Sequence, residues 1–494
     1  MIAQSSEPLT LDSRKNMATP GIIAGFQIQE GLVLTDPQTG KPVPGLAESW
    51  TMSPDGFTYT FKLRRGVRFH DGTQFDAEDV KYTFDFLTGE RRGSIYVSLF
   101  RPLIKAVETP DPWTVVIRLN APSEDFFTHL HRNWATLILS KDAVERAGER
   151  YGSDVAVGTG AFRFKVWNKG ESVVLERNPT YWQRGLPYLD GLTFKIVRDA
   201  PIRLINARAG VADVVFDPPL AQLRSVKNDR NLGVVAAPGN PLVSLQLNTT
   251  TRPFNDKRTR QALYQALDRE ALVKAQYGEY ANVAYDLLPS WHWFHDSNYR
   301  GTTRNPDRAR QLLAEAGYGP SAALEFDLLT STDSEMTDLA VLIQSQLRDT
   351  GVRLNVRPLE SAVRLAIMEG QRGANRDDYK VALMLQTLPG STTDDYIFKF
   401  YGRDGSLNRV YLNRRDGHQD PEIERLIDRA RGTPSKDEQR RLYRQAVDRI
   451  AESAVLIPIA FKQNVNVIRA RVQGFYPHNT DTRLLREVWV KRGR

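Results

Sequence analysis

The stretch that most constrains the fold of this chain runs from Gly45 to Leu87, where two turns separate a strand from a helix. Residues 53–56 read Ser-Pro-Asp-Gly, a turn sequence in which proline fixes φ and glycine tolerates a positive φ. From Phe57 to Leu63, apolar and polar side chains alternate. That period of two predicts a half-buried strand with one apolar face, made of Phe57, Tyr59, Phe61 and Leu63.

A helix is predicted directly after the second turn, His70-Asp71-Gly72. Asp76 is placed to cap its first turn, where Glu78 and Asp79 face the positive end of the helix dipole. Apolar residues then recur at helical spacing and form the predicted buried face, which contains Val80, Phe84 and Leu87.

Length and composition exclude several classes of protein. A chain of 494 residues is too long for one ordinary core, so we expect two or three domains. No apolar run approaches the roughly 20 residues that a membrane helix needs. The absence of cysteine excludes disulfides, thiolate metal sites and cysteine nucleophiles. The net charge of +8 is spread among interleaved acids and bases, which argues against a nucleic-acid-binding surface.

Three segments together resemble one known family. The order LAESW, LRRGVRFHDGTQF, AEDVKYTFD in residues 46–85 resembles the signature of the family 5 extracellular solute-binding proteins, the peptide, nickel and opine receptors of ABC importers. Residues 158–182 resemble the family's "GTGPY...ERNPxYW" segment, and residues 247–263 resemble its "LNxxxxPFxDxRVRxAL" segment. A lone pair of glycines, Gly158 and Gly160, completes no phosphate-binding motif, so close backbone packing is the predicted reason for both.

The resemblance implies an α/β, bilobal periplasmic-binding-protein type II fold with an extra inserted domain. Lobe 1 is expected to be discontinuous and to comprise residues 1–39, 157–246 and 464–494. The inserted second domain is expected at 40–156, and lobe 2 at 247–463, where predicted helices and strands alternate. Within lobe 1 a short strand is predicted at Leu9–Ser13.

The implied function is to capture a small solute between the lobes and deliver it to the membrane subunits of an ABC permease. We expect a monomeric, non-enzymatic protein without cofactor, metal or nucleic acid. The first six residues lack the features of a signal peptide, so a mature periplasmic form is expected. Trp291-His292-Trp293-Phe294-His295 places two histidines three apart, but the preceding Pro289 favours a loop over a metal site.

Ligand-binding residues are implied by the same resemblance. The turn Gln27–Leu32 resembles the family's "YEGL" element, whose glutamate and neighbouring backbone line the cleft, with Gln29 where an aromatic residue is common. The run Gly390-Ser391-Thr392-Thr393, between a predicted strand and a predicted helix, is also suited to binding anions or sugar hydroxyls. The complete expected set is Gln29, Glu30, Tyr96, Gln386, Gly390, Ser391, Thr392, Thr393, Asp394, Tyr396 and Asn408.

The ligand class depends on one alignment. In peptide-binding relatives, the loop matching residues 388–395 carries a tryptophan and an aspartate that pairs with the peptide ammonium. Here Leu388 and Ser391 stand at those positions, which favours a non-peptide anionic or sugar-bearing solute, such as an opine or an agrocinopine-like sugar phosphate. A gap of three residues would instead place Asp394 at the anchor and favour a di- or oligopeptide. A hydrolase or metal-binding protein is a distant alternative.

Overall fold

The computed structural model of the chain describes residues 1–16, 18–36, 38–369, 378–386, 393–402, 420–433, 435–477 and 483–491. Its strands are β1 Ile2–Gln4, β2 Val33–Thr35, β3 Pro42–Pro44, β4 Ala47–Met52, β5 Thr58–Leu63, β6 Ile104–Asp111, β7 Thr114–Leu119, β8 Phe162–Asn168, β9 Ser172–Arg177, β10 Gly191–Ile196, β11 Val214–Phe216, β12 Leu232–Ala237, β13 Leu242–Leu247, β14 Ala281–Val283, β15 Glu325–Thr330, β16 Arg353–Pro358, β17 Val381–Gln386, β18 Leu456–Lys462, β19 Asn464–Arg469, β20 Val472–Gln473 and β21 Trp489–Val490.

The helices are α1 Thr19–Ile28, α2 Ala77–Thr88, α3 Val97–Phe100, α4 Glu124–Arg132, α5 Lys141–Ala147, α6 Ala200–Arg208, α7 Leu223–Lys227, α8 Lys257–Ala266, α9 Arg269–Tyr277, α10 Pro306–Glu315, α11 Ser334–Arg348, α12 Ser361–Glu369, α13 Thr393–Tyr396, α14 Phe398–Tyr401, α15 Pro421–Gly432 and α16 Lys436–Ser453. Short 3₁₀ turns occur at Trp134–Thr136, Gly148–Arg150 and Leu220–Gln222. Within the described ranges, every helix is too short or too polar to cross a membrane.

The chain forms two compact units. The first contains Met1–Ala237 and Asn464–Arg494, and the second contains Pro238–Leu388 and Thr392–Gln463. The chain therefore enters the second unit at Pro238, nine residues before the crossing expected at 247. The reason is that β13, Leu242–Leu247, pairs with β17 and β18 of the second unit. A separate domain at 40–156 stays a prediction.

The first unit contains a seven-stranded sheet in the order β12-β19-β11-β1-β10-β9-β8. The short first strand β1 lies in the middle and runs parallel to both neighbours, β10 and β11. The prediction of a strand at Leu9–Ser13 is wrong, because those residues form an irregular segment with bends that leads into a turn at Ser13. Asp12 Oδ1 accepts from the backbone N–H and the Nε of Arg14, which bends the chain back on itself.

The signature segment adopts the elements that the sequence predicts. In the four-stranded sheet β4-β5-β7-β6, Tyr59, Phe61 and Leu63 on β5 are buried, whereas Phe57 lies before the strand and is exposed. Asp76 accepts from the Glu78 amide, and the Asp79 carboxylate accepts from the Asp76 amide, which completes a capping box at α2. Val80, Phe84 and Leu87 are buried as predicted.

The second unit contains a six-stranded sheet in the order β14-β18-β13-β17-β15-β16. Strand β15 runs parallel to β16 and β17, and β16 lies at the edge. Local signals mark both ends of α10: the Asn305 side chain caps it, Pro306 is its first residue, and Gly317 follows its end with a φ of 91°. This order of strands and helices is the α/β arrangement that the sequence predicts.

Candidate functional site

The turn after α1 places a carboxylate in the interior of the first unit. Glu30 is 4% exposed. Its Oε1 accepts from the Tyr181 hydroxyl at 2.5 Å, and its Oε2 accepts from Trp182 Nε1 at 2.7 Å and from Thr159 Oγ1 at 3.0 Å. Three donors from one later stretch of chain, residues 159–182, therefore converge on this carboxylate.

The electrostatic setting of Glu30 has two opposing parts. Burial raises its pKa, because the charged form loses hydration. The hydrogen bonds from Tyr181 and Trp182, and the positive charge of Arg486, act in the opposite direction without cancelling the effect. The carboxylate is thus a costly group that the unit stabilises with its own side chains.

Gln29 and Tyr96 are also engaged inside the first unit. Gln29 Nε2 donates to the Tyr151 hydroxyl at 3.0 Å, and the Gln29 side chain is buried. The Tyr96 hydroxyl donates to the Asn16 carbonyl and accepts from Trp134 Nε1 at 2.9 Å. Burial raises the pKa of Tyr96 to about 12, so its hydroxyl stays protonated. Their roles as ligand contacts stay predictions.

Gly158 and Gly160 pack against the end of α1. A Cβ on Gly158 would lie 2.1 Å from the Ile28 carbonyl oxygen, and one on Gly160 would lie 2.5 Å from that of Gln27. The Gly160 amide donates to the Ile28 carbonyl at 2.9 Å. Only glycine permits this approach, so close backbone packing is confirmed as the reason for both residues.

His70 closes the other side of this glycine segment. Its Nε2 lies 2.9 Å from the Gly160 carbonyl, and the Gly158 amide donates to its Nδ1 at 3.3 Å. One ring nitrogen therefore donates and the other accepts, which requires the neutral imidazole. Burial lowers the pKa of His70 to about 4, in agreement with that geometry.

Three candidate residues lie in the second unit. Gln386 ends β17, and its Oε1 accepts from Gln246 Nε2 at 2.7 Å. Thr393 begins α13 and is 2% exposed, and its Oγ1 has no hydrogen-bond partner among the described residues. The ring of Tyr396, which is buried, lies 6.4 Å from the ring of Trp291 and 5.6 Å from that of His292.

The remaining candidates are Gly390, Ser391, Thr392, Asn408 and the side chain of Asp394, and all of them lie outside the described residues. The alignment of Ser391 with the ammonium anchor therefore stays a prediction. The aromatic stretch Trp291–His295 is a loop, as the sequence predicts. Across the ranges that the structure describes, no three His, Cys, Asp or Glu side chains are grouped to hold a metal ion.

Gln29 and Glu30, which are neighbours in the chain, are thus both buried in the first unit, each with its own hydrogen-bond partners. Gln386, Thr393 and Tyr396 share the second unit, and within the described part of the chain the Thr393 hydroxyl forms no hydrogen bond with either of the other two. Sequence reasoning missed the partners of Glu30, namely Thr159, Tyr181, Trp182 and Arg486. A signal for three of them was present, because residues 158–182 carry the GTG and NPTYW motifs that resemble the family.

Comparisons with known proteins point to one family of proteins over most of the chain. Residues 41–408 match the family model described as bacterial extracellular solute-binding proteins, family 5 Middle. The glutathione-binding protein GsiB of Escherichia coli (strain K12) is 30% identical over 441 residues, which cover 87% of this chain and 83% of that protein.

Two solved structures share the fold. DppA from Helicobacter pylori, in complex with the peptide STSA, aligns with a TM-score of 0.85 and 23% identity, over 99% of this chain and 98% of that chain. AgaA from A. tumefaciens R10, in complex with agropinic acid, aligns with a TM-score of 0.82 and 25% identity, over 100% of this chain and 99% of that chain.

Proposed function

Because this chain belongs to family 5 of the bacterial extracellular solute-binding proteins, we propose that it captures one small solute in the periplasm and delivers it to the membrane subunits of an ABC importer. The proposed ligand is a non-peptide anionic or hydroxyl-rich solute, such as an opine or a sugar phosphate. The similarity to AgaA, whose structure contains agropinic acid, supports the choice of an opine.

The state of Glu30 is the observation that carries this choice. A ligand ammonium in a closed site needs a carboxylate, because an unpaired buried charge costs several kcal/mol. The carboxylate of Glu30 already accepts from three donors of its own unit, so it is a poor anchor for a ligand ammonium.

The other described candidates offer amides and hydroxyls. Gln29 and Gln386 carry amide groups, and the buried Thr393 Oγ1, which has no hydrogen-bond partner among the described residues, can donate to an oxygen of a ligand. Such groups bond carboxylate, phosphate and sugar oxygens, whereas none of them neutralises a cation. Together with the proposed position of Ser391, they favour a ligand rich in oxygen acceptors.

A peptide ligand is the second candidate. It is favoured by the 30% identity to a glutathione-binding protein and by the alternative alignment that places Asp394 at the ammonium anchor. The two candidates differ in one requirement, which is whether the ligand needs a free α-ammonium group.

Isothermal titration calorimetry with agropinic acid, a sugar phosphate, glutathione and a dipeptide separates them. We expect binding of at least one of the first two solutes and no measurable binding of the dipeptide. Ser391→Asp should weaken the native ligand by placing a negative charge against its oxygens. Micromolar dipeptide binding that is lost in Asp394→Asn would overturn this proposal in favour of the peptide receptor.

The bound solute should leave the protein chemically unchanged. Mass spectrometry after prolonged incubation with the ligand identified by calorimetry checks this point. Product in excess of the amount of protein would show turnover and would be incompatible with a receptor.

A further inference from the structure

A cavity of about 490 Å³ lies within the second unit, and none of the candidate ligand residues lines it. We call it the arginine cavity, because its lining includes Arg310, Arg348 and Arg353. Its volume falls in the range of small-molecule sites, which is roughly 300–1,000 Å³. Its residues are supplied by α10, by the bend at 318–324 and by the segment from Arg348 to Arg353.

Two adjacent helix ends form the cavity. α10 ends where the Gly317 amide donates to Ala314 and the Tyr318 amide donates to Leu313. α11 ends in the same way, with the amide of Val352 donating to Leu347. Both ends turn at a glycine with positive φ, Gly317 and Gly351, so the last carbonyls are hydrogen-bonded by the chain itself.

The interior of the cavity is aliphatic. Leu313, Leu324 and Val352 line it and are each at most 4% exposed as whole residues. An apolar body that covers this floor is removed from water, which contributes about 25 cal/mol for each Å² of apolar surface buried. The floor therefore suits a hydrocarbon or aromatic group.

The rim of the cavity is positively charged. Arg310 is paired with Asp307 at 2.5 Å and also donates to the Asp349 carbonyl. Arg348 and Arg353 are exposed and form no ion pair with any residue in the described ranges. Asp349 is the one acidic residue of the lining, so the charges of Arg348 and Arg353 leave the lining with a net positive charge.

The position of the cavity separates it from the candidate solute residues. Strand β15 begins at Glu325 and β16 at Arg353, so the cavity lies at the amino ends of these parallel strands. Gln386 lies at the carboxyl end of β17, which is parallel to β15. The two places are therefore about one strand length, roughly 20 Å, apart.

We propose that the arginine cavity is a second binding site, for a small amphipathic anion that carries one carboxylate or sulfonate on an apolar body. The aliphatic floor holds the apolar body, and Arg348 and Arg353 bind the anionic group. Guanidinium groups suit this task because they are always charged and bind planar carboxylates through two hydrogen bonds. This site acts independently of the solute that the protein delivers.

The test uses the fluorescent probe 8-anilinonaphthalene-1-sulfonate, an aromatic anion, and its uncharged relative N-phenyl-1-naphthylamine. Titration of the full chain should give saturable binding of the sulfonate at one site, and weaker binding of the uncharged probe. The double variant Arg348→Glu/Arg353→Glu should weaken binding of the sulfonate at least tenfold, which corresponds to about 1.4 kcal/mol. Its affinity for the uncharged probe should stay within about twofold of that of the wild type.

A matched control has the same change in net charge at another place. Arg224→Glu/Arg230→Glu alters two exposed arginines of the first unit that also form no ion pair with described residues, and should change sulfonate binding less than twofold. Ala314→Trp, which fills the cavity, should weaken both probes. Circular dichroism checks that each variant is folded, and Arg348→Gln/Arg353→Gln replaces the glutamate pair if that pair unfolds.

Three results would overturn the proposal. One is the absence of saturable sulfonate binding to the wild type. Another is an equal loss in both arginine pairs, which would show attraction by net charge alone. The third is unchanged binding in Ala314→Trp, which would place the probe elsewhere. None of these results bears on solute delivery, because the solute titrations use separate ligands.

Discussion

Glu30 in the first unit and Thr393 in the second are both buried polar residues of the expected ligand set, yet their surroundings differ. The Glu30 carboxylate accepts from Thr159, Tyr181 and Trp182. The Thr393 hydroxyl oxygen has no partner among the described residues. A satisfied buried group stabilises the fold, whereas an unsatisfied one carries a cost that a ligand can remove. The comparison teaches that burial alone does not identify a binding residue.

Glu30→Ala provides the strongest test of the first half of this comparison. Removing the carboxylate leaves three buried donors without their acceptor, so we expect a loss of about 4 kcal/mol in the free energy of unfolding. Urea denaturation monitored by circular dichroism measures it. Glu90→Ala, at an exposed position, is the control and should change stability by less than about 0.5 kcal/mol. A stable Glu30→Ala protein that has lost solute binding would reverse the assignment of Glu30.

His70 tests whether the first unit depends on a neutral group at the glycine segment. Its pKa is lowered to about 4, so the unfolded chain takes up the proton first as the pH falls below about 6.5, and stability is lost between those values. The stability advantage of wild type over His70→Gln should therefore shrink by up to about 3 kcal/mol between pH 7 and pH 4.

The pH dependence of the wild type alone would not isolate His70, because Asp79 changes stability with pH in the opposite direction. Burial raises the pKa of Asp79 to about 7, so its contribution to stability is greatest at low pH and declines as the pH rises through that value. Measuring Asp79→Asn in the same denaturation series isolates the pH-dependent contribution of Asp79 to stability. A pH-independent difference between wild type and His70→Gln would mean that the imidazole is not held neutral.

Gly158→Ala tests the close packing that brings residues 159–182 towards Glu30. The new methyl group would lie 2.1 Å from the Ile28 carbonyl, so the backbone must shift, at a cost of about 2 kcal/mol. Thermal unfolding measures the change. Gly432→Ala is the control, because its Cβ would meet no atom within 4 Å. Equal stability of the two variants would show that the glycine segment is not tightly packed.

Thr393→Val has the smallest expected effect on stability and tests the second half of the comparison. Because the hydroxyl has no partner within the described part of the chain, its replacement by a methyl group should change stability by less than about 1 kcal/mol. Solute affinity, measured by calorimetry, should fall about tenfold if the hydroxyl bonds the ligand. Thr259→Val is the matched control, since that hydroxyl donates to the Pro253 carbonyl at 2.5 Å. It should lose about 1 kcal/mol of stability without loss of affinity.

Local elements could be predicted from the sequence because their causes lie within a few residues. The capping box of Asp76 and Asp79, the buried faces of β5 and α2, and the boundaries of α10 depend on neighbours at most a turn or two away. The resemblance to the family rests on the same kind of local motif, and the family model confirms it over residues 41–408.

The failures have the opposite cause. The strand at Ile2–Gln4 was missed because its pairing partners, β10 and β11, lie about 190 to 210 residues later, and short apolar runs such as Leu9–Ser13 are equally good strand candidates by local pattern. The entry into the second unit at Pro238 likewise depends on distant strands, because β13 pairs with β17 and β18. Strand membership is decided by a partner strand, which no local window contains.

The sequence by itself determined the family, the α/β fold class, and the residues from which a ligand site is expected. The tertiary structure decided which of those residues have polar groups that are not already bonded within the protein. Glu30 bonds side chains 129, 151 and 152 positions further along the chain, and those bonds satisfy its carboxylate. It also decided that three arginines and three buried aliphatic residues line one cavity. Local sequence pattern encodes how a segment folds, whereas the availability of a polar group depends on contacts between distant segments, which exist only after folding.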